Sequence, residues 1–233
     1  LLKSDDSLDL SAGAWLAGYH TELQLGESIR PLLGHSRWEV RRSAADALGR
    51  LNHQPAASGL LQTVEQDTDD HVRADALHAL ALVDTATFIR VASQYAQHES
   101  MIVRLETLRA IKSLLNRSET DDQPAPENPT LLTIAQQRLS DASQGVRHLA
   151  IELCGRLQPE SVLRTLLTGS TSPADRTQWI AELTGNDAAF SVYLEQGMPG
   201  GDDLLFAIAQ RRQDPELALV LERRLESHAL HPG

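Results

Sequence analysis

The stretch Val40-Arg41-Arg42-Ser43-Ala44-Ala45-Asp46-Ala47-Leu48-Gly49-Arg50-Leu51 recurs in outline three more times, opening at Val72-Arg73, Val103-Arg104 and Val146-Arg147. The anchors lie 32, 31 and 43 residues apart. A period of this size is the mark of stacked helical hairpins, each too small to bury its apolar face alone. With the Val as position zero, position four reads Ala44, Ala76, Thr107 and Ala150, and position seven reads Ala47, Ala79, Ala110 and Leu153. Position eight reads Leu48, Leu80, Ile111 and Cys154, and position eleven reads Leu51, Val83, Leu114 and Leu157. At about 100° per residue these form one apolar stripe, so each copy is an amphipathic helix. Position five (Ala45, Leu77, Leu108, Ile151) flanks the stripe and is expected to pack on the next repeat.

A further helix is expected before each anchor, over Glu27 to Leu33, Ala57 to Glu65, Thr87 to Tyr95 and Thr130 to Leu139. Between the two helices of each pair sit polar turns whose Asp and Ser residues can cap the second helix. Ser118 to Pro129 carries three prolines and four acids, which predicts an exposed loop inserted into the third period. Residues 1–26 are expected to supply N-terminal capping helices and 27–167 the recognisable repeats. Residues 168–233 read as degenerate repeats and a C-terminal cap, in a single solenoid spanning 1–233.

The string Val-Arg, two variable residues, Ala-Ala, one variable residue, Ala-Leu-Gly at Val40 to Gly49 resembles the HEAT-like repeat of phycobilisome lyase type. Copies two and four match in part and copy three loosely, so the resemblance covers about Glu27 to Leu167. It implies an all-α solenoid of stacked antiparallel hairpins. The families sharing it include bilin lyases, a di-iron peptidyl-lysine hydroxylase, alkylpurine DNA glycosylases and many scaffold proteins, so the fold alone carries no function.

Composition narrows the classes. With 21 basic against 32 acidic residues and a formal charge of −11, the chain is a poor match for a phosphate backbone or an anionic membrane surface. Hydrophobic residues make up 41% and aromatics only 4%, so the interior must be built from Leu, Ala, Val and Ile. Cys154 is the one cysteine, which excludes an internal disulfide and a multi-thiolate zinc site. No apolar run reaches the length of a membrane span, and no signal pattern opens the chain. A cytoplasmic setting is expected, either as a mature product or as one domain of a larger bacterial protein, since the first residue is Leu1.

Catalytic patterns are sparse. The hydroxylases that the repeat resembles need His-Glu pairs at the start of their second helices, whereas His98-Glu99 here lies in a turn. Asp67-Thr68-Asp69-Asp70 lacks the glycine and glutamate of a calcium loop and is expected to cap a helix. His228 and His231 have ligand-compatible spacing but read as a solvated tail. No phosphate loop or Ser-His-Asp pattern is legible. The recurring Arg41, Arg73, Arg104 and Arg147 are expected to pair with turn carboxylates such as Asp69 and Asp141 in a ladder.

Positions two, six and nine lie opposite the stripe and should floor a concave groove. Arg42, Asp46, His78, Arg109, His148 and Glu152 are the candidate partner-binding residues, with small residues Gly49, Ala74, Ala81 and Gly155 among them. Mixed charge there suits a protein or peptide partner. The expectation is therefore a non-enzymatic interaction or scaffold module with no cofactor, no metal and no nucleic acid. The alternatives are a lyase-like or enzyme-accessory HEAT protein and a nucleic-acid-binding solenoid.

Overall fold

The computed structural model describes residues 1–120 and 129–157 of the chain, all of whose regular elements are helical. They are α1 (Ser7–Ala17), α2 (Gly26–Ile29), α3 (Trp38–Arg50), α4 (Ala57–Gln66), α5 (Asp70–Val83), α6 (Thr85–Tyr95), α7 (Met101–Thr120), α8 (Pro129–Gln137) and α9 (Gln144–Leu157). Short 3₁₀ turns follow α1, extend α2 over Arg30–Gly34 and precede α4 over Gln54–Ala56. The chain divides into two compact units, Leu1–Ile134 and Ala135–Gly233. The fold class is all-α, an α-solenoid of HEAT-like hairpins. The last residues of the expected repeats, 158–167, the degenerate repeats and cap expected over 168–233 and the His228/His231 tail lie outside the described residues.

In the first unit, α1 packs on α3, α3 on α5 and α5 on α7, while α4 and α6 back α5. The repeated stripe forms the core: Val40, Ala44, Ala47 and Leu48, then Val72, Ala76, Ala79 and Leu80, then Val103, Thr107, Ala110 and Ile111 are all buried. Thr107 is tolerated inside because its hydroxyl donates to the Val103 carbonyl at 2.8 Å, leaving no unmet donor. Position five is buried in each copy, as stacking requires. At position eleven only Val83 and Leu114 are buried; Leu51 and Leu157 are half-exposed, each at a helix end. In the second unit α9 buries Val146, Ala150, Ile151, Leu153 and Cys154, and burial pushes the Cys154 thiol up to about 12.

Two expectations shift. Ser118 to Thr120 continue α7, and Pro129 opens α8, where its missing N–H costs nothing; the insertion is therefore shorter at both ends than composition suggested. Gly49, Ala74, Ala81 and Gly155 are buried instead of flooring an open face. The reason is close helix contact: a Cβ on Gly49 would stand 2.8 Å from Ala79 Cα, so position nine of α3 lies in the seam with α5. The open strip is narrower than half a helical wheel.

Candidate functional site

Each turn between paired helices is built on one residue, five before the anchor: His35, Asp67, His98 and Asp141. Its side chain accepts the backbone N–H two residues on: Arg37 to His35 Nδ1 at 3.1 Å, Asp69 to Asp67 Oδ1 at 3.0 Å, Ser100 to His98 Nδ1 at 3.1 Å and Ser143 to Asp141 Oδ1 at 2.9 Å. Histidine thus stands in for aspartate in alternate repeats, through a ring nitrogen that carries no hydrogen.

The recurring arginine closes the same turn from the helix. Arg41 donates to the carbonyls of His35 and Ser36, Arg104 to those of His98 and Glu99, and Arg147 to those of Asp141 and Ala142, at 2.8–3.2 Å. Arg73 binds the carbonyls of Val64 and Asp67 and pairs with Asp70 at 2.6 Å. The expected ladder has a rung at Arg41, on a different carboxylate from the one expected. Arg41 forks onto Asp67 at 2.6 and 2.8 Å, while Asp69 caps α5 through the amides of His71 and Val72. Burial would raise Asp67, but the Arg41 fork and the Asp69 amide hold it below the usual carboxylate range. These arginines are thereby engaged in turn structure.

The candidate partner-binding residues of the first unit lie along one face of α3, α5 and α7, knitted across the helices. Arg42 reaches Asp75 of α5 at 2.7 Å, and Asp46 takes Arg50 at 2.8 Å. His78 Nδ1 meets Glu106 of α7 at 2.6 Å, and Arg109 meets the other oxygen of Glu106 at 3.2 Å. Burial lifts Asp75 above the ordinary value despite Arg42. Glu106 is held below it, because His78 and Arg109 more than offset its burial. Asp75 and Glu106, both at position three, are the face residues that the wheel did not select; their acidic identity in adjacent copies was the available signal. A cleft of about 330 Å³ opens among Asp46, Arg50, Asp75, His78 and Glu106. A second, of about 520 Å³, lies toward α1 among Trp15, Trp38, Glu39, Arg42, Asp46 and Asp75. His148 and Glu152 sit half-exposed on α9 of the second unit, with His148 3.4 Å from Gln144 Nε2.

One constellation has catalytic outline. Ser113 Oγ stands 3.2 Å from His78 Nε2, and His78 Nδ1 faces Glu106, the order of nucleophile, base and orienting carboxylate. Acyl transfer also needs donors aimed at the developing oxyanion. Ser113 is inside α7, where the neighbouring backbone amides are consumed by the helix. The triplet ties α5 to α7. Among the described residues no group of three or more His, Cys, Asp or Glu side chains is arranged to hold a metal, and no helix is long and apolar enough to cross a membrane.

These geometries define a helical-repeat class, and comparison with known proteins agrees with it over the first repeats. Residues 1–81 match the HEAT repeats family. Its fold is similar to a chain in the complex of CpcE and CpcF of phycocyanin lyase from Nostoc sp. PCC7120, at 18% identity and a TM-score of 0.51, covering 97% of this chain and 91% of that one. An engineered protein aligns at 17% identity and a TM-score of 0.46, covering 97% and 92%. No curated protein matches the chain.

Proposed function

We propose that this protein is a non-enzymatic interaction module that holds a polypeptide partner on the α3–α5–α7 face, through Arg42, Asp46, His78 and Arg109. His148 and Glu152 on α9 are proposed as a separate contact patch of the second unit. The observation carrying this reading is the face itself: alternating cations and carboxylates, with clefts of about 330 and 520 Å³ among them. Such a surface offers both donors and acceptors at fixed spacing, which suits a peptide backbone and its mixed side chains. A phosphate backbone would instead favour uninterrupted Lys and Arg, and the chain's −11 charge opposes it. A cytoplasmic setting fits the reading.

The test is recovery of partners from the native source with the wild type, an Asp46→Ala/Arg109→Gln double variant and a Glu65→Gln control on the outer helix α4. Loss of the same polypeptide from the double variant alone supports the assignment. Equal recovery by all three overturns it. A lyase-like role is the second reading, favoured by the fold shared with the Nostoc phycocyanin lyase chain. Covalent attachment of a bilin to an acceptor protein in the presence of this chain would decide for it.

A further inference from the structure

The larger cleft has a chemistry of its own. Trp15 of α1 and Trp38 at the start of α3 both line it and remain 49% and 39% exposed, unusual for the largest apolar side chain in a chain so poor in aromatics. Around them stand three carboxylates, Glu39, Asp46 and Asp75, against two guanidinium groups, Arg42 and Arg50. Arg42 and Arg50 are already paired, to Asp75 and Asp46. Glu39 is the carboxylate left over. Its Oε1 reaches only the exposed Arg37, at 3.4 Å, while its Oε2 is shielded from solvent and has no hydrogen-bond partner among the described residues. A shielded carboxylate oxygen without a donor is unfavourable, and an incoming cation would satisfy it.

The same face already stacks a cation on an aromatic ring. Arg50 lies 4.6 Å above the Tyr19 ring, whose other neighbour is Trp15 at 4.9 Å. The aromatic surface beside the cleft therefore accepts guanidinium within the molecule, and Trp15 and Trp38 offer more of that surface unoccupied by an arginine among the described residues.

We infer that this cleft takes an arginine side chain of the polypeptide partner, its plane against Trp15 or Trp38 and its fork on Glu39. Arginine suits the site better than lysine, since a planar guanidinium both stacks on indole and bonds a carboxylate with two donors. The assignment rests on the interaction reading above and names the chemistry that one part of the face selects.

The experiment uses the full chain with Trp179→Phe, so that fluorescence reports Trp15 and Trp38. The probe is a blocked peptide of alternating glycine and arginine, compared with its lysine and glutamate counterparts. A saturable fluorescence change with the arginine peptide is expected, weaker with lysine and absent with glutamate. Trp38→Leu, which leaves the net charge unchanged, should weaken binding about tenfold, the loss of a desolvated cation–π contact. Glu39→Gln should weaken it several-fold, whereas Glu65→Gln, the same charge removed from α4, should not. Trp15→Leu provides a second charge-neutral variant, and retained helicity by circular dichroism qualifies each one. Equal affinity in Glu39→Gln and Glu65→Gln, or no effect of either tryptophan substitution, reduces the binding to diffuse attraction by an acidic protein and overturns the inference. The two readings separate in the partner-recovery assay. A partner lost from Asp46→Ala/Arg109→Gln but kept by Trp38→Leu and Glu39→Gln overturns the cleft assignment alone; recovery unchanged in every variant overturns both.

Discussion

Removing the Asp67 carboxylate tests whether the turn-to-turn fork carries stability. Asp67 is only 5% exposed at its side chain and Arg41 15%, so the pair escapes most of the solvent screening that makes surface ion pairs nearly worthless. Breaking a buried pair by deleting one partner costs about 3–5 kcal/mol. Arg41 keeps its two carbonyl acceptors, at 2.9 and 3.0 Å, so it is not stranded and the lower end of that range applies. Asp67→Ala should therefore cost about 3 kcal/mol, including the acceptor lost to the Asp69 amide. Asp67→Asn keeps that turn bond and one neutral acceptor for Arg41, and should cost about 1–2 kcal/mol. The assay is urea unfolding followed by fluorescence in the Trp179→Phe background. The pH dependence has a fixed sign. A carboxylate held below its unfolded value near 4 contributes stability fully above that pH and loses it as pH falls through the folded value. The gap between wild type and Asp67→Asn should thus be constant from pH 5 to 7 and close below about pH 4. A cost under about 1 kcal/mol for Asp67→Ala, or a gap that widens in acid, would refute the reasoning.

Leu80→Ala should cost about 2–5 kcal/mol in the same assay, because Leu80 is fully buried between stacked repeats; an unchanged midpoint would remove it from the core. Gly49→Ala should destabilise by about 1–3 kcal/mol although alanine favours helix, since the new methyl meets the Ala79 backbone at 2.8 Å; a gain in melting temperature would show that α3 and α5 can separate freely. His98→Leu should cost about 1–3 kcal/mol by stranding the Ser100 amide, whereas His98→Asp keeps the acceptor and should stay at or above the wild-type midpoint; equal losses in both would deny the turn role.

The architecture was legible because Val40, Val72, Val103 and Val146 mark a register that burial then follows at positions four, five, seven and eight. The limits of that legibility are local. A helical wheel treats each helix alone, so it placed Gly49 on an open face when the neighbouring α5 covers it. It selected Arg42 and His78 but passed over Asp75 and Glu106, whose importance comes from the helix before each of them. The turn residue five before the anchor was unread because His35 and His98 share no side-chain class with Asp67 and Asp141. What they share is one unprotonated acceptor at similar reach, a property of atoms that residue classes hide. Proline content likewise overstated the insertion at Ser118 to Thr120, whose residues continue α7.

Arg41 holds its own turn by two carbonyls and the following turn by a carboxylate, so ordering one turn prepares the acceptor for its neighbour. In a linear chain of nearest-neighbour units, such a bond belongs to the interface between repeats and not to either repeat alone. Its loss therefore acts on cooperativity as well as on the midpoint: with the coupling weakened, hairpins can melt singly, and the urea transition becomes shallower. At the next junction Arg73 Nη1 faces His98 Nε2 at 3.4 Å, and that ring nitrogen carries the hydrogen once Nδ1 accepts from Ser100. Donor there meets donor, so this joint is looser than the Arg41–Asp67 joint before it.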